Sequence, residues 1–130
     1  MIEKALFAKL SGTTSITNIV GSRIFPVFLP EKTQLPALVY LRLSTDGAAL
    51  THSGTSNIVS TTFEVGCYSK DVVQAKTLAK TIRAALKGFS GSAAGIVIHR
   101  TEVENEFDDY DFDTGLFTVP VEITLTHDEA

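Results

Sequence analysis

The chain has 130 residues, 44% of them hydrophobic and 20% charged, and its formal net charge at pH 7 is −4. This length and composition indicate one folded domain over residues 1–130 and not a disordered chain. The mild negative charge argues against nucleic acid as a bound partner, because phosphate binding needs a basic surface. No apolar run approaches the roughly 20 residues that span a bilayer, so we expect no membrane partner. The single cysteine, Cys67, rules out an intrachain disulfide and a thiolate zinc cluster, which fits folding in a reducing cytoplasm.

Residues 1–43 predict one helix followed by two strands. Ile2, Leu6 and Leu10 recur at helical spacing, and a second, short turn of helix fits residues 14–20. Residues 23–29 are apolar, but Pro26 restricts them to an edge strand. The next strand opens at residue 36 and alternates between two faces, with Ala37, Val39, Leu41 and Leu43 on one and Leu38, Tyr40 and Arg42 on the other.

The middle of the chain predicts a loop and a third strand. Residues 46–57 combine Gly47 and Gly54 with serines and threonines and show no sustained period. We therefore expect a flexible loop, or one that becomes ordered on a partner. Alternation resumes over residues 58–68, with Val59, Phe63, Val65 and Cys67 on one face and Ser60, Thr62 and Glu64 on the other.

The clearest helix covers residues 71–87. Asp71 is placed to cap its first turn, and Gln74 occupies the capping-box position three residues later. Gly88 ends the helix. Its apolar residues form one stripe, as in a helix with one buried face, and comprise Val72, Ala75, Leu78, Ala79, Ile82, Ala85 and Leu86.

Two further strands complete the predicted fold. Residues 93–103 read as a strand, and residues 116–126 place Phe117, Val119, Val121, Ile123 and Leu125 on one face. Pro120 lies on the opposite face, which suggests an edge position or a bulge. The order α-β-β-β-α-β-β predicts a small α+β domain whose mainly antiparallel sheet is packed by two helices.

Charge is segregated along the chain. Four basic residues are spaced by four, three and four positions on one face of the helix at 71–87, and seven of the fifteen acidic residues lie between Glu102 and Asp113. These features indicate either two solvated faces or the complementary edges of neighbouring subunits in a ring. The candidate interface residues are Lys76, Lys80, Arg83, Lys87, Asp108, Asp109, Asp111 and Asp113, together with His52 in the loop at 46–57.

The residues predict no catalytic, cofactor or metal site. Asp109, Asp111 and Asp113 alternate like the first ligands of an EF-hand, but Thr114 stands where the turn glycine belongs and Pro120 where the final glutamate belongs. The three histidines, His52, His99 and His127, lie in no catalytic motif, and no glycine-rich loop opens a helix.

Taken in order, several stretches of the chain resemble the tail-completion family of long-tailed bacteriophages and prophages. The resemblance spans nearly the whole chain. It is carried by Ile2-Glu-Lys-Ala-Leu-Phe-Ala-Lys-Leu10, Gly21-Ser-Arg-Ile-Phe-Pro26, Leu35-Pro-Ala-Leu-Val-Tyr40, Val65-Gly-Cys-Tyr68, Gln74-Ala-Lys-Thr-Leu-Ala79, Ile82-Arg-Ala-Ala-Leu-Lys-Gly-Phe-Ser-Gly91, Glu104-Asn-Glu-Phe-Asp-Asp-Tyr-Asp111 and Thr114-Gly-Leu-Phe-Thr-Val-Pro-Val-Glu-Ile123.

The resemblance implies a structural role in the virion and no enzymatic activity. Such proteins are similar to tail terminators, which form a ring, typically of six subunits, at the head-proximal end of the tail tube. The implied partners are further copies of the chain, the tail tube protein and the head connector, with DNA only passing through the lumen. The implied location is the virion tail, and the host cytoplasm during assembly. A head-closure protein and a non-viral binding adaptor remain as alternatives.

Overall fold

A computed structural model of the protein describes residues 1–46 and 58–129. The elements are α1 (Ile2–Ser11), α2 (Thr14–Val20), β1 (Ile24–Pro26), β2 (Ala37–Asp46), β3 (Ile58–Ser69), α3 (Val72–Leu86), β4 (Gly91–Ala93), β5 (Ile96–Glu106), β6 (Asp109–Asp111) and β7 (Leu116–Asp128). The predicted α+β fold class is confirmed. The predicted loop at 46–57 lies outside the described residues except for Asp46, which ends β2.

Within the described residues, seven strands form one sheet in the order β1-β2-β3-β7-β5-β4, and β6 also pairs with β7. All of these pairings are antiparallel except that of β1 with β2, which is parallel. The central pair, β3 and β7, keeps one register from Ile58 opposite Asp128 to Ser69 opposite Phe117. This uninterrupted pair forms the centre of the sheet.

The helices pack on one face of this sheet and enclose the hydrophobic core. Phe63 of β3 and Ile123 of β7 are fully buried beneath Leu6 of α1 and Leu78 of α3. The apolar stripe predicted for α3 is the buried face of that helix. The face of β2 that joins the core carries Leu38 and Tyr40, because these residues pair with Cys67 and Val65 of β3. None of the helices in the described residues is long and apolar enough to cross a membrane.

The short turn of helix predicted at residues 14–20 is a helix in its own right. Residues 14–20 form a separate helix, α2, whose Ile16 and Val20 are fully buried. Gly21 follows it with a φ of 59°, a conformation that glycine adopts without steric cost, and the chain then turns into β1. Three helices therefore cover the sheet in the described part of the chain.

The start of α3 confirms the predicted cap at Asp71, whose carboxylate accepts a hydrogen bond from the Val73 N–H at 3.1 Å. Gln74 does not complete a capping box, because the Asp71 N–H donates to the Ser69 hydroxyl and not to the Gln74 side chain. Ser69 Oγ accepts from the Asp71 N–H at 3.0 Å and donates to Gln74 Oε1 at 2.7 Å. The last residue of β3 thereby fixes the entry of the chain into α3.

Of the two alternatives predicted for Pro120, the edge position is wrong, because β7 lies between β3 and β5. The other alternative was a bulge, and the β5–β7 ladder has a register shift between Val103 and Asn105, close to this proline. The pairing of β5 with β7 ends at Glu106 opposite Val121, and β6 begins at Asp109 opposite Thr118. The Pro120 carbonyl accepts from the Phe107 N–H at 3.3 Å, so the side of the proline that lacks an N–H faces the junction between β5 and β6. The N–H that proline lacks would therefore have pointed to the place where pairing with β7 passes from β5 to β6, so no regular ladder hydrogen bond is lost.

Candidate interaction surfaces

Three of the four basic residues predicted on one helix face lie on the exposed side of α3, and the fourth, Lys87, directly follows the helix. Two of the four are paired within the chain. Lys76 Nζ lies 2.9 Å from Asp108 Oδ2, and Arg83 Nη1 lies 3.5 Å from Glu106 Oε1. The basic helix and the acidic connection thus meet in one subunit. Because all four side chains are well exposed, each pair contributes little to folding stability.

Two basic and three acidic residues of the predicted set form no ion pair with any described residue. Lys80 is exposed on α3, which also carries the paired Lys76 and Arg83, and Lys87 is exposed directly after the helix. Asp109, Asp111 and Asp113 are exposed on β6 and the turn after it. These five charges remain available to other molecules. His52, the remaining predicted interface residue, lies outside the described residues.

The carboxylates of the acidic connection shape the backbone locally. Asp109 Oδ1 accepts from the Tyr110 N–H at 2.8 Å, and Asp111 Oδ1 accepts from the Asp113 N–H at 2.9 Å. The Gly115 N–H donates to the Asp111 carbonyl at 2.8 Å, and Gly115 has a φ of 72°. The result is an ordered turn between β6 and β7. In the described part of the chain, no group of three or more histidine, cysteine or acidic residues is arranged to hold a metal ion.

This turn presents an aromatic side chain to solvent. Phe112 is 89% exposed, the largest exposed fraction of any large hydrophobic residue that the structure describes. Its ring meets the edge of Tyr110 at a centroid distance of 4.9 Å and an interplanar angle of 89°, and Tyr110 in turn packs on Phe117 at 4.7 Å. Phe112 therefore projects into solvent from a turn in which Tyr110 packs on Phe117 of β7. We call residues 111–113 the aromatic turn.

A cleft opens beside the aromatic turn at the same end of the sheet. It has a volume of about 430 Å³. Its walls come from the β1–β2 connection, from the residue after β3, and from the start of β7, and consist of Leu29, Pro30, Glu31, Lys32, Thr33, Leu35, Lys70, Thr114 and Leu116. Lys32 and Lys70 form no ion pair with any described residue. We call this feature the two-lysine cleft.

The sheet face opposite the helices carries a pair of like charges. Glu64 of β3 stands directly opposite Glu122 of β7, and both side chains are partly buried. Burial raises the pKa of the Glu64 carboxyl, and the negative charges of Glu122 and Asp109 raise it further. The sequence places both glutamates on the polar faces of their strands, but only the register of the sheet brings them together.

The remaining reactive side chains are occupied or buried. Cys67 is fully buried, and burial raises the pKa of its thiol far above the ordinary value, so the thiolate nucleophile is disfavoured. His99 Nε2 lies 2.7 Å from Asp128 Oδ1 on the surface. His127 is buried, with Nε2 2.9 Å from Thr61 Oγ1 and Nδ1 2.7 Å from the Asp128 carbonyl. No nucleophile–base–acid constellation joins these groups in the described residues.

A family model described as tail completion protein gp17 matches residues 4–128. The chain belongs to this family. The resemblance noted in the sequence is thereby confirmed. Membership of this family supports a structural role in a phage-like virion. A solved chain from the "Virion of native gene transfer agent (GTA) particle" shares its fold, with a TM-score of 0.72, and the match covers 96% of this chain and 92% of that one at 13% identity. Comparison with curated proteins finds no match.

Sequence reasoning found the charged surfaces of this tail completion protein and missed the aromatic turn, the two-lysine cleft and the paired glutamates. Phe112 carried a signal, because a phenylalanine between two aspartates is unsuited to a core. The cleft carried none, since three connections that are distant in sequence build it.

Proposed function

We propose that the protein assembles as a ring of six subunits on the head-proximal end of the phage tail tube, where it ends tube growth and joins the tail to the head. The observation that carries the proposal is the match of the tail completion family over residues 4–128. The fold shared with a chain of a gene transfer agent virion over 96% of the present chain supports it.

The charged surfaces support assembly from identical subunits. A closed ring requires two different patches that fit each other, because each subunit contacts its neighbours front to back. Asp109, Asp111 and Asp113 offer a negative patch. Positive patches are offered by Lys80 and Lys87 and by Lys32 and Lys70 of the two-lysine cleft. The net charge of −4 also suits a ring through which DNA passes without being bound.

Deletion of the gene from the phage that encodes it tests the proposal. We expect filled heads beside separate tails, many of them overlong, in negative-stain micrographs of the lysate. Supplying the wild-type gene in trans should restore joined virions. Normal virions without the gene would remove the proposal. Headless tails of normal length in the deletion lysate, with the protein found on the head side of the joint by immunogold labelling of the complemented phage, would instead identify a head-closure protein.

A further inference from the structure

We propose that the aromatic turn of one subunit inserts Phe112 into the two-lysine cleft of a neighbouring copy. The inference rests on the proposed function in one respect, since it names a contact between subunits of the ring. It joins two different surfaces of the same chain, which is the kind of contact that propagates from copy to copy.

The exposure of Phe112 is the first argument. A phenylalanine that is 89% exposed leaves nearly its whole apolar surface in water, and burying such a side chain is favourable. The ring is held edge to face against Tyr110, and the turn beneath it is closed by hydrogen bonds from Asp113 and Gly115 to Asp111. The backbone that carries the ring is therefore already ordered before docking, which lowers the entropic cost of the contact.

The size and lining of the cleft are the second argument. A cavity of roughly 150 Å³ already accepts benzene, so a cleft of about 430 Å³ has room for a phenyl ring and part of its backbone. Leu29, Pro30, Leu35 and Leu116 supply apolar walls. Phe112 does not line the cleft of its own chain, although Thr114 and Leu116 do. Its ring is therefore available to another copy.

Charge complementarity is the third argument and selects a copy of this chain as the occupant. Asp111 and Asp113 flank Phe112, whereas Lys32 and Lys70 and a single acid, Glu31, line the cleft, which leaves its lining net positive. The two aspartates and the two lysines form no ion pair with any described residue. When the ring is seated, the two carboxylates come to the two ammonium groups at the rim. The contact is then an apolar anchor surrounded by opposite charges, as in many protein interfaces.

Disulfide trapping between two variants of the full chain, each with one added surface cysteine, tests the contact. Asp113→Cys places a thiol within the aromatic turn and keeps Phe112 and Asp111, and it removes one flanking carboxylate equally from the test and control mixtures. Glu31→Cys places a thiol in the cleft and keeps both lysines. Cys67 is buried and does not compete. Mixed at high concentration under mild oxidation, the two variants should form the 113–31 heterodimer at least about tenfold faster than Asp113→Cys mixed with Val97→Cys, a control at an exposed position on β5.

A second variant separates the anchor from general proximity. Phe112→Ala in the Asp113→Cys chain should slow trapping about 10- to 100-fold, the effect of losing one buried phenyl ring. Its thermal midpoint should stay at the value of Asp113→Cys alone, since the ring is exposed in the monomer. Trapping at the control rate, or trapping unaffected by Phe112→Ala, would overturn the proposal. So would a Phe112→Ala protein that traps normally but no longer binds tails, a result that would assign the aromatic turn to the tube protein.

These outcomes are independent of the gene deletion. Failed trapping together with overlong, unjoined tails would retain the ring and reject this contact. Successful trapping in a phage that needs no tail completion protein would retain the contact and reject the proposed function.

Discussion

Glu64 and Glu122 form an unfavourable pair that the fold tolerates on the polar face of its sheet. Like charges directly opposite each other on neighbouring strands are destabilising. Because burial and these charges raise the pKa of Glu64 in the folded protein, the folded state binds a proton more readily than the unfolded chain does. The free energy of unfolding attributable to this pair therefore decreases as the pH rises above the unfolded pKa.

Glu122→Gln should accordingly stabilise the protein at pH 7, by ~0.5 kcal/mol, since the side chains are only partly buried. The gain should shrink as the pH drops towards 4.5, the ordinary pKa of Glu64, because the raised pKa in the folded protein lets that carboxyl bind a proton there and lose its repulsion from Glu122. Urea unfolding at pH 7 and pH 4.5 measures this difference. Glu104→Gln, a change of the same chemistry on the exposed side of β5, is the matched control and should show no gain. An equal gain for both variants would point to net charge instead of the pair.

At the scale of the element, the junction of β3 and α3 sets the position of the basic helix. Asp71 and Ser69 satisfy the first N–H groups of the turn, and the buried stripe from Ala75 to Leu86 holds the helix on the sheet. The helix thereby presents Lys80 to solvent, and Lys87 is exposed directly after its last residue. Removal of a cap hydrogen bond should therefore lower folding stability and leave the exposed lysines of the folded protein in place.

Asp71→Ala should lower the free energy of unfolding by about 1 kcal/mol, because it removes the carboxylate that accepts from the Val73 N–H. Equilibrium unfolding in urea provides the measurement. Asp113→Ala removes an exposed aspartate whose side chain caps no helix, and it should change stability by less than about 0.5 kcal/mol. A neutral result at Asp71 would show that the Ser69 hydrogen bonds suffice.

On the scale of the whole molecule, the structure divides the charged residues between roles within and between subunits. Lys76 and Arg83 are paired with Asp108 and Glu106 of the same chain. Lys80 and Lys87 have no such partner among the described residues. If opposite charges meet between subunits, assembly depends on the second pair of residues more than on the first.

The double variant Lys80→Glu/Lys87→Glu should therefore impair ring assembly while its thermal midpoint stays near that of the wild type. Wild-type assembly should also weaken as salt rises from about 0.05 M to 0.5 M, because exposed charges are screened. Sedimentation or negative-stain counting of rings follows both effects. Lys76→Glu/Arg83→Glu is the matched control, with a smaller effect on assembly. Assembly that is indifferent to salt would dismiss charge pairing between subunits.

Periodicity in the sequence predicted those elements whose pattern of buried residues can be recognised within the element itself. The stripe of α3 and the alternation of β3 are local patterns, and both were confirmed. Pro120 was misplaced because the edge-strand rule considers a single strand, whereas the tolerance here comes from the break between β5 and β6. The pairing of Lys76 with Asp108 depends on how the chain returns past α3, and no local pattern encodes that path.

The unbroken register of β3 and β7 also has a mechanical consequence. Twelve residues of β3 pair in sequence with β7, and at about 3.4 Å per residue the two strands run side by side for roughly 40 Å. The two strands cannot slide past each other without breaking every hydrogen bond between them. Shear along this axis therefore has to break the whole ladder at once, and we expect the subunit to resist it more strongly than a bend across the strands.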